Sequence, residues 1–258
     1  MARQTNGSAV ARNRPATVVQ IGFLVALLAL WFFATEFGGV SRFLLPSPVS
    51  VADSLVQMIA DGTIAGELAV TLYEVFSAFG LSAVVGLGIG FFVARSAYLV
   101  EVFTPVFSAL FAVPVILLLP LFVLLLGLGP ESKIAAGIAS CFFPIVLSAI
   151  VGFGKIDRIY MLAARSMGAS HWQLFARIMM PAALPAILSG LRLGFVISFL
   201  SVLGAETIAA RSGLGRAIVE ASENLRIDKM FALIVVVVFL AFLLNLLVSY
   251  VERRGRWE

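Results

Sequence analysis

The segment DRIYMLAARSMGASHWQLFARIMMPAALP, residues 157–185, is the longest polar interruption in the second half of an otherwise apolar chain. Apolar residues at helical spacing predict a first short helix, which ends at Gly168 because glycine tolerates a left-handed backbone. Ser170 and Gln173, three residues apart, have the spacing of a capping box and predict the start of a second short helix. The segment is therefore expected to fold as a pair of short helices.

Two prolines, Pro181 and Pro185, are expected to close this segment because each lacks the backbone N–H that a helix needs. A polar helix pair of this kind, held at a membrane surface, suits docking into a groove of a partner protein. The titratable side chains of the segment are one acid and four basic residues: Asp157, Arg158, Arg165, His171 and Arg177.

The composition is typical of a membrane protein. Of the 258 residues, 61% are hydrophobic and 12% are charged, whereas about a quarter of the residues in a soluble domain are charged. The apolar residues form long runs, which predicts an all-α polytopic membrane protein with a single domain. The one cysteine, Cys141, lies in such a run and is expected to be a buried free thiol.

Six runs are long and apolar enough to form transmembrane helices. The first is too long for the apolar region of a cleaved signal peptide, so we interpret it as a span. Eleven of the 18 Lys and Arg residues fall in segments that this arrangement places inside and six fall outside, which predicts that both termini are cytoplasmic. The predicted spans are residues 18–37, 68–94, 102–126, 134–153, 186–205 and 230–251.

Shorter features between and within the spans also carry predictions. Ser50, with Asp53 three residues later, is expected to cap a helix that ends near Ile59 and lies at the membrane interface or on a plain surface. Residues 95–101 are expected to form an inside loop, and residues 127–133 an outside turn. The third span contains three prolines whose freed carbonyls must be satisfied by neighbouring groups: Pro105, Pro114 and Pro120.

The sequence offers little material for catalysis. The only histidine is His171, which excludes a histidine-based metal site or triad, and Gly154-Lys155 lacks the other residues of a phosphate loop. Acidic residues are not expected to cluster within the spans. Glu74 is expected to reach the membrane interface without a role toward a solute, and Arg192 is expected to snorkel or to pair structurally.

The predicted helix pair resembles a loop of bacterial ABC importer permeases that reads E-A-A, three residues, G, nine residues, I-x-L-P. The matching positions are Ala163-Ala164, Gly168, Ile178 and Pro181, and the two departures are Leu162 in place of Glu and Met180 in place of Leu. From about residue 40 to the C-terminus, further segments look like the sulfonate, taurine and nitrate branch of that family. They are Leu45-Pro46-Ser47-Pro48, residues 120–129, Trp172-Gln173, Gly190-Leu191-Arg192, Ala205-Glu206 and Gly213-Leu214-Gly215.

The resemblance implies a type I ABC importer permease fold in the bacterial inner membrane. Residues 1–17 would form a disordered cytoplasmic tail and residues 18–258 a single transmembrane permease domain, with residues 155–181 as its cytoplasmic coupling loop. The implied partners are ABC ATPase subunits, which would bind ATP and Mg²⁺, an extracytoplasmic solute-binding protein and a second copy of the permease; no nucleic acid and no cofactor are expected in this chain. The implied solute is a small anion such as a sulfonate, taurine or nitrate.

The resemblance also implies roles for individual residues. The ATPase would dock on Leu162, Ala163, Ala164, Arg165, Gly168, Ala169 and His171. The fifth span would line the translocation path through Ser198, Ser201 and Glu206, although the residues alone slightly favour helix packing for the two serines. The binding protein would meet Gly213, Gly215, Glu220 and Glu223, beside an apolar stripe of Ala217, Ile218, Ala221 and Leu225.

Two other classes of protein remain as alternatives. A secondary transporter would carry ion ligands at broken helices near the midplane and would consist of two related halves. A membrane-embedded enzyme would need clustered His, Asp or Glu on one membrane face. The sequence displays neither pattern, which favours the importer subunit.

Overall fold

The computed structural model describes residues 14–39, 41, 43–156 and 158–255, and these residues form helices without any strand. Residues 1–13 of the predicted tail lie outside the described residues, and residues 14–17 belong to the first helix. The helices are α1 (Arg14–Glu36), α2 (Pro48–Ala60), α3 (Thr63–Ala94), α4 (Ala97–Phe111), α5 (Leu119–Leu126), α6 (Pro130–Gly154), α7 (Arg158–Ser166), α8 (His171–Leu174), α9 (Met180–Ala209), α10 (Leu214–Glu223) and α11 (Ile227–Gly255). A 3₁₀ turn (Val115–Leu118) precedes α5, and a π-helical turn (Phe175–Met179) precedes α9.

Three long helices, α3, α6 and α9, form the centre of the molecule. They approach closely because glycines lie where they cross. A Cβ atom at Gly194 of α9 would lie 2.6 Å from Cγ1 of Ile145 in α6, and one at Gly90 of α3 would lie 2.9 Å from the carbonyl oxygen of Val146. Any larger residue at these two positions would therefore push the helices apart. Cys141 is buried near the same crossing as a free thiol, as predicted.

Apolar packing extends from this centre toward both ends of the bundle. At the end that carries α10, the largest buried cluster joins α2, α3, α9, α10 and α11. At the opposite end, Phe153 and Ile187 are buried against Phe91 and Phe175. Because lipid is as apolar as these side chains, close packing rather than exclusion of water stabilises such contacts in a bilayer.

Four helical segments of the described chain are long and apolar enough to cross a membrane: Thr63–Ala94, Pro130–Gly154, His171–Glu223 and Ile227–Tyr250. A bent pair, Ala97–Phe111 with Val115–Leu126, makes a fifth span if its two arms are taken together. These segments correspond to the predicted second to sixth spans. The predicted first span, residues 18–37, falls on α1 and stays a prediction.

The third predicted span, residues 102–126, is broken rather than continuous. Its two arms meet at an angle of 73°. Pro114 lies at the break in an extended conformation, where it has no N–H to continue the ladder of α4. Pro105 is accommodated inside α4, and Pro120 lies in the first turn of α5, where a missing N–H costs nothing. The sequence predicted a proline-rich span here, but it did not predict this break.

Lys133 fixes the turn that follows the broken span. The sequence predicts an outside turn up to Lys133, but the turn ends at Gly129 and Lys133 is fully buried in α6. Its ammonium group donates to the carbonyl oxygens of Leu128 (2.7 Å) and Gly129 (3.1 Å) and to the hydroxyl of Ser132 (3.2 Å). Lys133 is therefore a buried structural cation, and the prediction that it lies in an outside loop is wrong.

Two further boundaries differ from prediction. The cap of α2 is Ser47, whose hydroxyl accepts a hydrogen bond from the backbone N–H of Ser50 at 3.2 Å, so the prediction of Ser50 as the cap is wrong. The Ser50 hydroxyl instead donates to Oδ1 of Asp228 in α11 at 3.0 Å, which ties α2 to the bundle. Only Arg95 and Ser96 separate α3 from α4, so the predicted loop at residues 95–101 is too long.

Candidate functional site

The polar segment folds as the predicted pair of short helices, α7 and α8. Gly168 follows α7 with φ +79°, in the left-handed region that the sequence indicated. The capping box is present, because the Ser170 hydroxyl accepts from the N–H of Gln173 (3.3 Å) and the Gln173 side chain accepts from the N–H of Ser170 (2.9 Å). Asp157 and the side chain of Arg158 lie outside the described part of the structure.

The helix pair presents an apolar surface away from the bundle. Leu162 is 63% exposed, Met167 87% and Trp172 72%. Several large exposed apolar side chains on one short polar segment are typical of an interaction site. Among the residues predicted to dock the ATPase, Leu162, Ala163, Arg165, Gly168 and His171 are exposed, and Ala164 and Ala169 are half-buried.

The inner side of the helix pair is anchored to the bundle by aromatic contacts. The ring of Phe175 lies 5.2 Å from that of Phe91 in α3 and 6.5 Å from that of Phe153 in α6. Leu174 is buried at the same place, and Trp172 packs on Phe175 at 5.8 Å. The helix pair is therefore attached to the bundle through side-chain contacts with α3 and α6.

The prolines do not close the segment, and that prediction is wrong. The helix continues from α8 through the π-helical turn into α9, with Pro181 in the first turn of α9 and Pro185 inside it. Pro181 has no N–H to bond four residues back, and its ring crowds the carbonyl of Arg177. The N–H of Met180 bonds to the carbonyl of Phe175 in a wider π turn. This turn accommodates both the missing hydrogen bond and the proline ring. The second helix of the pair, α8, and the central helix α9 thus form one continuous rod.

At the opposite end of α9, a polar cluster holds the first turn of α10. Glu206 lies in α9 and is 0% exposed, so the predicted outside segment does not begin there. Its Oε1 accepts from the Thr71 hydroxyl at 2.7 Å, and its Oε2 accepts from the N–H of Gly215 at 2.7 Å. Thr71 also accepts from the N–H of Leu214 at 2.9 Å, and Glu67 accepts from the N–H of Gly213.

Three consecutive amides at the start of a helix are thus paired with side chains of α3 and α9. We call Glu67, Thr71, Glu206 and the amides of residues 213–215 the α10 clamp. The arrangement satisfies donors that a helix N-terminus leaves free, and it places carboxylates at the positive end of the helix dipole. The geometry of the clamp also explains why residues 213 and 215 are glycines. Gly213 has φ +110°, and a Cβ atom at Gly215 would lie 2.6 Å from the carbonyl oxygen of Leu203.

Behind the clamp lies a residue whose position was predicted wrongly. Glu74 is 1% exposed and lies beside Glu206 rather than at the membrane interface. Glu67, Thr71 and Glu74 occupy positions i, i+4 and i+7 of α3 and therefore one helix face. The prediction that acidic residues do not cluster within the spans is wrong, and this spacing on α3 is the signal that would have revealed the cluster.

The polar residues of α9 serve helix contacts in this conformation. The Ser198 hydroxyl donates to the carbonyl of Val75 at 3.3 Å, and the Ser201 hydroxyl lies 2.8 Å from that of Ser140. Arg192 donates to Asn245 of α11 at 3.3 Å, which fits the predicted structural pairing. A role of Ser198, Ser201 and Glu206 in lining a path stays a prediction.

The exposed face of α10 is acidic. Glu220 and Glu223 are exposed, and Glu223 lies 3.6 Å from Arg216. Gly213 and Gly215 are buried in the clamp beneath this face. Leu225 lies beyond the end of α10 with φ +54° and is exposed, so its predicted place in the apolar stripe is wrong.

Known proteins are similar to this chain over nearly its whole length. The family described as "Binding-protein-dependent transport system inner membrane component" matches residues 86–257. The taurine transport system permease protein TauC of Escherichia coli (strain K12) is 32% identical over 92% of this chain and 88% of its own length. The putative aliphatic sulfonates transport permease protein SsuC of Bacillus subtilis (strain 168) is 30% identical over 97% of this chain and 92% of its own length.

Solved structures of transporters share the fold. A chain of the inward-facing MetNI methionine ABC transporter has a TM-score of 0.64 at 20% identity, over 76% of this chain and 96% of that one. A chain of an amino acid ABC transporter with histidines has a TM-score of 0.58 at 20% identity, over 78% and 98% of the two chains. At this identity the likeness shows the fold alone, whereas the family match and the taurine and sulfonate relatives carry the assignment. The chain therefore belongs to the family of binding-protein-dependent transport system inner membrane components.

Proposed function

We propose that the chain forms the translocation path of an ATP-driven importer for a small organic anion of the sulfonate class. The observation that carries the proposal is the continuous rod that joins an exposed apolar helix pair at one end to the α10 clamp at the other. Such a rod can transmit a movement at one membrane surface to the opposite surface. The names of the taurine and aliphatic sulfonate relatives support the solute class.

The helix pair is the proposed docking site for the ATPase subunit, which binds ATP and Mg²⁺ in place of any cofactor in this chain. Leu162, Met167 and Trp172 supply apolar area for a groove, and Arg165 and His171 lie at its rim. The small residues Ala163, Ala164, Gly168 and Ala169 permit close approach of the two backbones. Closure of the ATPases would pull the pair and, through the π-helical turn, rotate or shift α9.

The path itself is proposed to lie between two copies of the chain. The hydroxyls of Ser198 and Ser201 are engaged in hydrogen bonds between α3, α6 and α9 within one chain. α4, whose described residues include none that are buried, offers a surface to a second copy. In this arrangement, rotation of α9 would bring its polar residues, including Glu206, to the path.

Six spans with both ends in the cytoplasm are part of the proposal, and cysteine labelling tests them. The native Cys141 is buried, so the parent protein should give little background. An impermeant thiol reagent added to intact cells is expected to label Ser222→Cys, on the exposed side of α10, but not Met167→Cys in the helix pair. Thr5→Cys and Trp257→Cys should also stay unlabelled until the cells are opened. Labelling of either terminal position in intact cells would refute the six-span topology.

The exposed acids of α10 are the proposed contact with the solute-binding protein, above the buried Gly213 and Gly215. Reversal of both charges, in Glu220→Lys with Glu223→Lys, should lower the stimulation of ATP hydrolysis by binding protein at least about tenfold, since mismatched charges at an interface cost several kcal/mol. Hydrolysis without binding protein should stay at the parent rate in the assembled complex. Asp53→Lys, on the exposed side of α2, is the control. Equal loss of basal and stimulated rates would contradict this contact.

A further inference from the structure

The buried polar cluster beneath α10 carries more negative charge than its partners neutralise. Glu74 is 1% exposed and Glu206 is 0% exposed. Thr71 bonds to Glu206 and precedes Glu74 by one helical turn on α3, so the two buried carboxyl groups lie next to each other. Two carboxyl groups in contact away from water cannot both be ionised without strong repulsion.

The hydrogen bonds distinguish the two carboxyl groups. Both oxygens of Glu206 accept from good donors, the Thr71 hydroxyl and the N–H of Gly215, as expected of an ionised carboxylate. Oε2 of Glu74 is buried and has no hydrogen-bond partner. A buried oxygen without a partner is far less costly on a neutral carboxyl group than on a carboxylate. Glu74 is therefore the member of the pair that is better suited to carry a proton.

The nearby Lys133 does not by itself neutralise both carboxyl groups. An ammonium group has three N–H donors, and those of Lys133 are directed to Leu128, Gly129 and Ser132. Two carboxylates and one ammonium group leave one negative charge among the three buried side chains. A single proton brings the trio to neutrality.

Other charged groups face the pair from the surrounding elements, but they are closer to solvent. Glu67 on α3 is half-buried, Glu131 at the start of α6 is exposed, and Arg211 beyond α9 is exposed. Solvent and salt screen such groups, so they do not neutralise a buried charge effectively. Within the part of the chain that the structure describes, no group of three or more His, Cys, Asp or Glu side chains is placed to hold a metal ion.

We propose that Glu74 and Glu206 form a carboxyl pair that binds one proton beneath the α10 clamp. The proton lies between the two side chains, with Glu74 as its donor toward Glu206. It keeps Glu206 free of repulsion and so allows Glu206 to hold the N–H of Gly215. The proposal rests on contacts within this chain and not on the identity of the solute or of the partners.

Infrared spectroscopy of the purified full chain in lipid nanodiscs tests the proton directly. At neutral pH the parent protein should show the C=O absorption of one protonated carboxyl group per chain, shifted in D₂O. Glu74→Gln should lose this band, whereas Glu220→Gln, an exposed position on α10, should keep it. Absence of the band from the parent protein at neutral pH would overturn the proposal. Removal of the band by Na⁺ alone would also overturn it, because the pair would then bind a metal cation.

The pH dependence of thermal unfolding gives a second readout that a merely structural glutamate would not alter. If the folded protein holds a proton that the unfolded chain releases at neutral pH, stability must fall as pH rises. The melting temperature of the parent should therefore decrease toward alkaline pH. Glu74→Gln, a permanently neutral side chain, should flatten this decrease, and Glu220→Gln should not. An equally steep decrease in Glu74→Gln and the parent would count against the site.

Discussion

Gly168→Val is expected to abolish uptake and co-purification of the ATPase while the protein still inserts into the membrane. Gly168 has φ +79° between α7 and α8, where a residue with a Cβ atom costs about 1–2 kcal/mol and a β-branched one costs more. No neighbouring atom would clash with the new side chain, so the strain acts on the angle between the two short helices. Pull-down of the ATPase from solubilised membranes and uptake in cells are the two measurements.

Gly62→Val is the matched control for this experiment. Gly62 has φ +70°, has equally open surroundings and lies between α2 and α3, away from the helix pair. It should suffer a similar backbone strain and yet retain the ATPase. Retention of both ATPase and full uptake in Gly168→Val would show that the helix pair is an ordinary loop.

Glu206→Ala is expected to destabilise the fold by about 2–6 kcal/mol. The change leaves the N–H of Gly215 and the hydroxyl of Thr71 without their acceptor, at about 1–3 kcal/mol for each buried group. α10 should then separate from α3 and α9. A lower melting temperature of the purified protein, together with faster proteolysis near residues 210–226, is the expected result.

Glu223→Ala, on α10 itself, is the corresponding control. Glu223 is exposed and its ion pair with Arg216 spans 3.6 Å at the surface, so its removal should change stability by less than about 0.5 kcal/mol. If Glu206→Ala were as stable as Glu223→Ala, the clamp would not hold α10, and the description of this site would be wrong.

The helix pair and the apolar spans were predictable because their signals are local. The glycine, the capping box and the apolar runs each act within a short stretch of sequence. The structure has the glycine, the capping box and the second to sixth runs where the sequence placed them, the third run as a bent pair. Which of the prolines would break a helix was not predictable in the same way. Pro105 and Pro114 have similar sequence surroundings, but only Pro114 breaks its helix, because the bundle accommodates the first inside α4.

The α10 clamp was not predictable because its partners meet across 135 residues of sequence. Thr71 and Glu206 form one hydrogen bond, yet no local sequence pattern around either residue predicts contact with the other. A glutamate near the end of an apolar run is equally compatible with a position at the membrane interface, which is why the position of Glu74 was predicted wrongly. Lys133 was misplaced for the same reason, since its acceptors are carbonyl oxygens, which the side-chain sequence does not reveal.

Reconstitution of the complex in proteoliposomes tests the central claim most directly. The chain, its ATPase and the solute-binding protein would be combined, and accumulation of radiolabelled taurine and of an alkanesulfonate would be measured. We expect accumulation only when ATP is present on the ATPase side and binding protein is present on the other, and none with the Gly168→Val chain. Accumulation driven by an ion gradient without ATP would contradict the claim, because the chain would then act as a secondary transporter.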